Sequence, residues 1–302
     1  MKKTLSVAAL ALAMTGSALA ADLPHYKAPP PPPPPPPPMW TGFYVGLNAG
    51  GTWAQSNSTN TTAFPIFAAP AIQSEANVAA LLATSNIGSG NGGGFIGGGQ
   101  IGYNWQFYNS FVAGIEADIQ GIAYSNNTRN FAAVSGVPGF PLETMFGAVS
   151  VKRNVDYIGT VRGRLGWLFT PTLLVYGTGG LAYGGVSSST SMFQTDTLAT
   201  TGCTFCNPYF TAGSYSDTRV GWTAGGGLEW MFWPNWSAKV EYLYYDLGRV
   251  SYAMSPLVSF FNGGAPAWAA IAQSSTRFNG NIVRAGVNYH FNWGAAPVVA
   301  KY

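Results

Sequence analysis

The chain has 302 residues, of which 47% are hydrophobic and only 8% charged, against the roughly 25% charged residues of ordinary soluble domains. With Lys2 and Lys3 set aside in an N-terminal leader, 12 basic residues face 11 acidic ones. That balance excludes the basic face that nucleic-acid binders turn toward phosphates, and the shortage of charge asks for an apolar solvent.

The opening "MKKTLSVAALALAMTGSALAAD" joins Lys2 and Lys3 to an apolar run and then to Ala18-Leu19-Ala20, a small-x-small cleavage site. Residues 1–20 read as a secretory signal; the apolar core is too short for an anchor helix. Residues 21–39 read as a periplasmic linker. Its ten prolines, Pro29 to Pro38, predict an extended rod of about 31 Å at ~3.1 Å per residue, a spacer or else a ligand for a proline-binding module. After the leader no run of about 18 apolar residues exists, so no transmembrane helix is available. An exported chain that is poor in charge and rich in glycine and aromatics points instead to a membrane β-barrel.

Eight segments between Trp40 and Trp293 alternate with period 2, the mark of strands with two unlike faces. In the first, Phe43, Val45, Leu47 and Ala49 oppose Tyr44, Gly46 and Asn48; in the second, Ile101, Tyr103, Trp105 and Phe107 oppose Gln100, Asn104 and Gln106. The second opens with Gly92-x-Gly94-x-x-Gly97. A dinucleotide fingerprint needs a helix after its glycines, and "QIGYNWQF" alternates as a strand, so the match is fortuitous. The third segment sets Phe111, Ile115 and Ile119 against Glu116, Asp118 and Gln120, and the fourth sets Val161, Leu165 and Trp167 against Thr160, Arg162 and Arg164. The fifth has Val175 and Leu181 against Tyr176 and Thr178; the sixth, Trp222, Leu228 and Trp230 against Thr223 and Glu229. The seventh and eighth oppose Val240 and Tyr242 to Lys239 and Glu241, and Val283 and Val287 to Arg284 and His290. The expected fold is all-β: an eight-stranded antiparallel up-and-down transmembrane barrel over residues 40–293, apolar face to lipid and polar face to the lumen, with a tail at 294–302.

Seven tryptophans, Trp40, Trp105, Trp167, Trp230, Trp233, Trp236 and Trp293, fall at strand ends on one rim and are expected to form a periplasmic aromatic girdle. Short turns near Asn109, Pro171 and Pro234 share that rim, and the long links at 55–93, 125–154, 187–217 and 249–278 read as extracellular loops. Alternation in phase across each turn predicts three-residue turns, Tyr108-Asn109-Ser110, Thr170-Pro171-Thr172 and Trp233-Pro234-Asn235, with a bulge-like residue.

Eight strands enclose an interior just wide enough for side chains to fill. The inward charges are Glu116, Asp118, Glu229 and Glu241 against Arg162, Arg164, Lys239 and Arg284. They read as a paired polar plug, since charge in a narrow interior is costly unless matched, with a catalytic or ion-conducting cluster as the alternative. Three-residue turns would put Glu229 opposite Lys239. Cys203 and Cys206, in the third long link, fit a local disulfide better than a zinc site, which would need more ligands. No Ser-His-Asp grouping stands out, and His290 reads as a plug or rim residue. No cofactor and no metal is expected. The loops "FPIFAAPAI", "FAAVSGVPGFPLETMFGAV" and "SPLVSFFNGGAPAWAAIA" are apolar; they either pack on one another or form a surface for a host or envelope partner.

"ALAADLP", "WTGFYVGLNAGG", "GQIGYNWQ", "GIEADIQG", "TVRGRLGW", "VYGTGGLAYG", "GWTAGGGLEW", "KVEYLYYDLG" and "NIVRAGVNYHFNW", in that order, resemble the small immunogenic outer-membrane barrels of alphaproteobacteria, a "porin family" whose barrel is similar to the OmpA transmembrane domain. The resemblance implies an eight-stranded barrel, an envelope-structural and surface-antigen role, and no catalytic residues. It implies as partners outer-membrane lipid, lipopolysaccharide and the assembly machinery, which commonly reads a final aromatic, here Phe291 or Trp293. The ten-proline run and the tail "GAAPVVAKY" depart from the family pattern. The leading expectation is a non-enzymatic, monomeric outer-membrane barrel that displays loops. A narrow solute channel and a barrel-embedded lipid or peptide hydrolase are the alternatives.

Overall fold

The computed structural model describes residues 39–56, 58–88, 93–124, 128–198, 208–261 and 264–291. The signal, linker residues 21–38, Cys203, Cys206, Trp293 and the tail lie outside them. All eight expected strands are present: β1 (Gly42–Ala54), β4 (Gly93–Phe107), β5 (Phe111–Tyr124), β7 (Phe140–Thr170), β8 (Leu173–Leu198), β9 (Tyr209–Trp233), β10 (Trp236–Ala253) and β12 (Pro266–Phe291). They pair antiparallel in the order β1-β4-β5-β7-β8-β9-β10-β12, and β1 pairs again with β12, so these eight close in a ring. The sheet is larger than the ring. The links expected as loops carry β2 (Ser58–Ala68), β3 (Ser85–Gly88), β6 (Thr128–Val137) and β11 (Leu257–Phe260), which makes twelve strands among the described residues, and an α-helix, α1 (Gln73–Ala83).

Period-2 alternation sets the faces. Leu47, Ile101, Ile115, Val161, Leu165 and Val240 are exposed on the outside of the ring, while Asn48, Gln100, Glu116, Arg162, Thr223 and Lys239 are buried within it. This is the inverse of a soluble barrel, and an apolar outer surface suits a hydrocarbon solvent. Gly98 shows how tightly the inner face is drawn. A Cβ there would stand 2.0 Å from the Ile119 carbonyl oxygen and 2.7 Å from the Gln120 Cα, so only glycine lets β4 and β5 approach.

The turns bring one confirmation and two corrections. Phe107 pairs with Phe111 across Tyr108-Asn109-Ser110, a three-residue turn in which Tyr108 and Asn109 take φ of 47° and 59°. The other two are two-residue turns, Pro171-Thr172 between paired Thr170 and Leu173, and Pro234-Asn235 between paired Trp233 and Trp236. The strand phases stand nonetheless, because a register shift between Leu168 and Thr170 and another between Trp236 and Ser237 each absorb one residue. The odd residue sits in the strand edge instead of the turn.

Exposed aromatics gather in two belts, one toward each end of the ring strands. Trp105, Trp167, Trp230, Trp233 and Trp236 are exposed at the turn end. Trp40, expected among them, is not: the side chain is 1% exposed and lies inside the ring, where its indole N–H donates to the Pro171 carbonyl at 3.0 Å. The residue precedes β1 and folds inward, so position at a strand end misassigned it. The second belt, at the other end, contains exposed Trp53, Phe95 and Trp222, with Trp222 and Tyr244 rings 5.3 Å apart.

Beyond the second belt β7, β8, β9 and β12 run on. β7 alone has 31 residues, about three times what a bilayer crossing needs. β6 pairs with β7, β2 with β12, β3 with β2 and β11 with β12. This outer extension has its own apolar core, in which Ala76, Ala79 and Ala83 of α1 meet Val137, Met145, Val149, Met192, Leu257, Trp268 and Ala270. All three apolar links contribute to it, so packing on one another accounts for much of their character. Phe64, Ile66, Phe67, Phe131, Val134, Leu142 and Phe260 of the same links stay exposed.

Candidate functional site: the charged layer inside the ring

Inward side chains stack in layers along the ring. At the turn end Trp40, Val112, Leu168, Leu174, Tyr176 and Met231 form an apolar floor. Toward the outer extension Ile96, Ile158, Ala182, Leu243, Tyr245, Phe278 and Ile282 form another apolar layer. Between them lie all eight residues expected as the lumen network, each buried.

Alternation puts one or two charges on the inner face of five strands, and closure brings them within reach of one another. Arg162 on β7 bridges three carboxylates: its guanidinium donates to Glu116 at 2.5 Å, to Asp118 at 2.9 Å and to Glu241 at 2.9 Å. Arg284 on β12 donates to Asp118 at 2.8 Å and to Glu241 at 2.6 Å. Lys239 donates to both oxygens of Glu116, at 2.9 and 3.0 Å. Arg164 pairs with Glu229 and stacks over the Tyr176 ring at 4.1 Å.

Uncharged groups take up much of the remaining capacity. Tyr44 accepts from Arg164 at 2.9 Å and donates to Glu116 at 2.7 Å. Tyr176 donates to Glu241 at 3.1 Å, Thr160 to Asp118 at 2.9 Å and Asn288 to Glu229 at 2.7 Å. Every carboxylate of the layer therefore has a cationic partner and at least one neutral donor, which is what makes buried charge tolerable.

The register places Lys239 opposite Glu229, as the alternation predicts. The pair does not form an ion pair, because Lys239 reaches across to Glu116 while Glu229 turns to Arg164. In a narrow ring the partner across the lumen competes with the neighbour on the sheet. Tyr44 and Tyr176 were legible as polar-face residues, but their role as hydrogen-bond links needs the closed ring.

One grouping escaped the sequence. Ser237 Oγ donates to Glu229 at 2.5 Å and lies 2.8 Å from His290 Nε2, which is itself 3.4 Å from Glu229. Serine, histidine and acid are thus together after all, although Ser237 and His290 lie 53 residues apart along the chain. The arrangement is not that of a hydrolase triad, in which the acid orients the far ring nitrogen. Here Glu229 and Ser237 both crowd Nε2, Ser237 and Glu229 are fully buried, and the Trp40 ring stands edge-on to His290 at 5.8 Å.

The outer membrane protein beta-barrel domain family matches residues 6–291. The chain is 33% identical over 292 residues to the 31 kDa outer-membrane immunogenic protein of Brucella melitensis, covering 96% of this chain and 100% of that one. It is 31% identical over 157 residues to the 22 kDa outer membrane protein of Rhizobium leguminosarum bv. viciae, covering 51% and 54%. Among solved structures, the outer membrane protein OprG from Pseudomonas aeruginosa aligns over 83% of this chain and 97% of its own, with 8% identity and a TM-score of 0.34. With two alphaproteobacterial relatives and a family match over nearly its whole length, the chain belongs to the outer membrane beta-barrel protein family and resides in the Gram-negative outer membrane.

Proposed function

We propose that the eight-stranded ring is a closed transmembrane barrel without an open pore, and that the chain is a non-enzymatic, monomeric envelope protein that presents its outer extension to the medium. The observation that carries this reading is the charged layer. Eight mutually paired charges lie between two apolar layers, and a water-filled path would have to cross all three. On the outside, ten residues separate Tyr157 from Trp167 on β7, about 33 Å at ~3.3 Å per residue and about 23 Å once tilted ~45°, which is close to the apolar band of such barrels. The short-turn end is the periplasmic one on this reading, so the extension faces out. The immunogenic Brucella relative favours a surface-antigen role for that extension, and lipid, lipopolysaccharide and the assembly machinery are its partners in the envelope.

Planar-bilayer recording tests the reading. The purified chain is expected to give no steady conductance. A steady, ion-selective current from chain whose lumen residues are unaltered would overturn the closed barrel in favour of a channel. Against the hydrolase stands the geometry at Ser237 and His290: Ser237→Ala is expected to leave lipid composition and proteolysis of model peptides unchanged.

A further inference from the structure

Three carboxylates from distant parts of the chain meet in the outer extension. Glu75 lies in the first turn of α1, Glu143 near the start of β7 and Asp196 near the end of β8. They are 2%, 8% and 3% exposed, and one oxygen from each lies within 4.8 Å of the other two. Among the described residues no Lys or Arg pairs with them; the cations that form ion pairs serve the charged layer and Asp246.

Two buried oxygens at this place also lack a hydrogen-bond partner. Asp196 Oδ2 accepts the Tyr209 hydroxyl at 3.2 Å, but Oδ1 has no donor. Gln194, 1% exposed and two residues earlier on the same inward face of β8, donates its amide to the Ala79 carbonyl of α1 at 2.9 Å and leaves its Oε1 without a partner. Buried acceptors are ordinarily matched, and clustered buried carboxylates ordinarily have a cation or share protons. On Asp196 and Gln194 the unmatched atoms are oxygens, and the unmatched donor of the same core, Trp268 Nε1, packs on Tyr209.

We propose that Glu75, Glu143 and Asp196 form a calcium site that ties α1 to β7 and β8. Oxygen-only donors select a hard cation, and the donor set selects among those. A buried group of three carboxylates suits Ca2+, which accepts about six to eight oxygens largely from protein, better than Mg2+, which keeps several waters and is held by one or two carboxylates. Protons are the competitor. Burial, then the charges of Glu143 and Asp196, push the Glu75 carboxyl up to about 7; burial raises Glu143 and Asp196 as well.

The full chain, refolded in detergent free of lipopolysaccharide and stripped with a chelator, is titrated with CaCl2 or MgCl2 at pH 7.5 by calorimetry. The expected result is a single saturable Ca2+ site, tighter for Ca2+ than for Mg2+, that weakens as pH is lowered to 5.5. Glu75→Gln and Asp196→Asn are each expected to weaken it about tenfold or more, while the heat-dependent gel mobility of the folded ring is retained. No saturable Ca2+ binding to the wild-type chain, undiminished binding in a folded E75Q/D196N variant, or a preference for Mg2+ overturns the proposal. Should the variants not fold, hydrogen exchange of the wild-type chain decides: Ca2+ is expected to slow exchange in α1 and leave the ring strands unchanged, and no effect on α1 overturns the site.

Discussion

At the scale of single residues, Arg162 is the hub of the interior, because it hydrogen-bonds Glu116, Asp118 and Glu241 together, whereas Arg284 hydrogen-bonds Asp118 and Glu241 and stands 3.6 Å from Glu116. Replacing it with methionine keeps much of its length and leaves three buried carboxylates sharing Lys239, Arg164 and Arg284. Removing one member of a buried charge pair typically costs about 3–5 kcal/mol, mostly the penalty of the partner left behind. Arg162→Met is therefore expected to lower the urea midpoint of the chain in lipid vesicles by a loss of that size. Adding Asp118→Asn should recover part of it, since one orphaned charge is then gone. An unchanged midpoint in R162M would mean that water reaches these groups and that the layer is not closed. All eight members of the network were legible in the sequence, since alternation assigns a face to each residue without knowledge of its partner. Which charge meets which was not: Glu229 and Lys239 are register neighbours yet pair elsewhere, a choice made only when the ring closes. Trp40 failed for a related reason. Its position at a strand end is sequence information, but its inward turn toward Pro171 is tertiary.

At the scale of elements, the eight ring strands follow from period-2 patterning, and the additions in the long links do not. β2, β6 and β11 pair with the prolonged ends of ring strands, so their apolar content reads as loop until those ends are known to continue. α1 is shorter still on signal, with alanines that any compact setting accepts. What positions it is the extension's core on one side and Glu75 on another, which gives its docking a pH dependence of known sign. A carboxyl whose pKa is raised on folding binds more protons folded than unfolded between its two pKa values, so stability falls as pH rises through that window. For Glu75 the window runs from the usual value of 4.5 to about 7. In chelator, α1 amides are expected to lose protection between pH 5 and pH 7.5 after correction for intrinsic exchange, while β1 and β4 amides do not. Protection that rises with pH in chelator would show that the acids have a cationic partner of another kind.

At the scale of the whole molecule, the proposed topology makes the two aromatic belts divide the structure into a part solvated by lipid and a part solvated by water, and the same apolar surface has opposite meanings in each. Between the belts, exposed Val161, Leu165, Ile101 and Leu181 are in their natural solvent. Beyond the second belt, exposed Val134 and Phe131 on β6 face water on the proposed topology. A charge introduced at each place separates the two regimes. Val161, between Tyr157 and Trp167 on β7, stands near the middle of the band, where lysine costs about 2–4 kcal/mol. Val134→Lys, at a position as exposed as Val161, is expected to change stability by less than about 0.5 kcal/mol, as surface substitutions do. Urea unfolding of both variants in vesicles measures the contrast. Equal costs would place both residues in one solvent, and the division of the molecule at the second belt would have to be abandoned. The expected inequality would also fix which apolar residues of the extension remain open to a partner, because only those outside the band lack lipid to cover them.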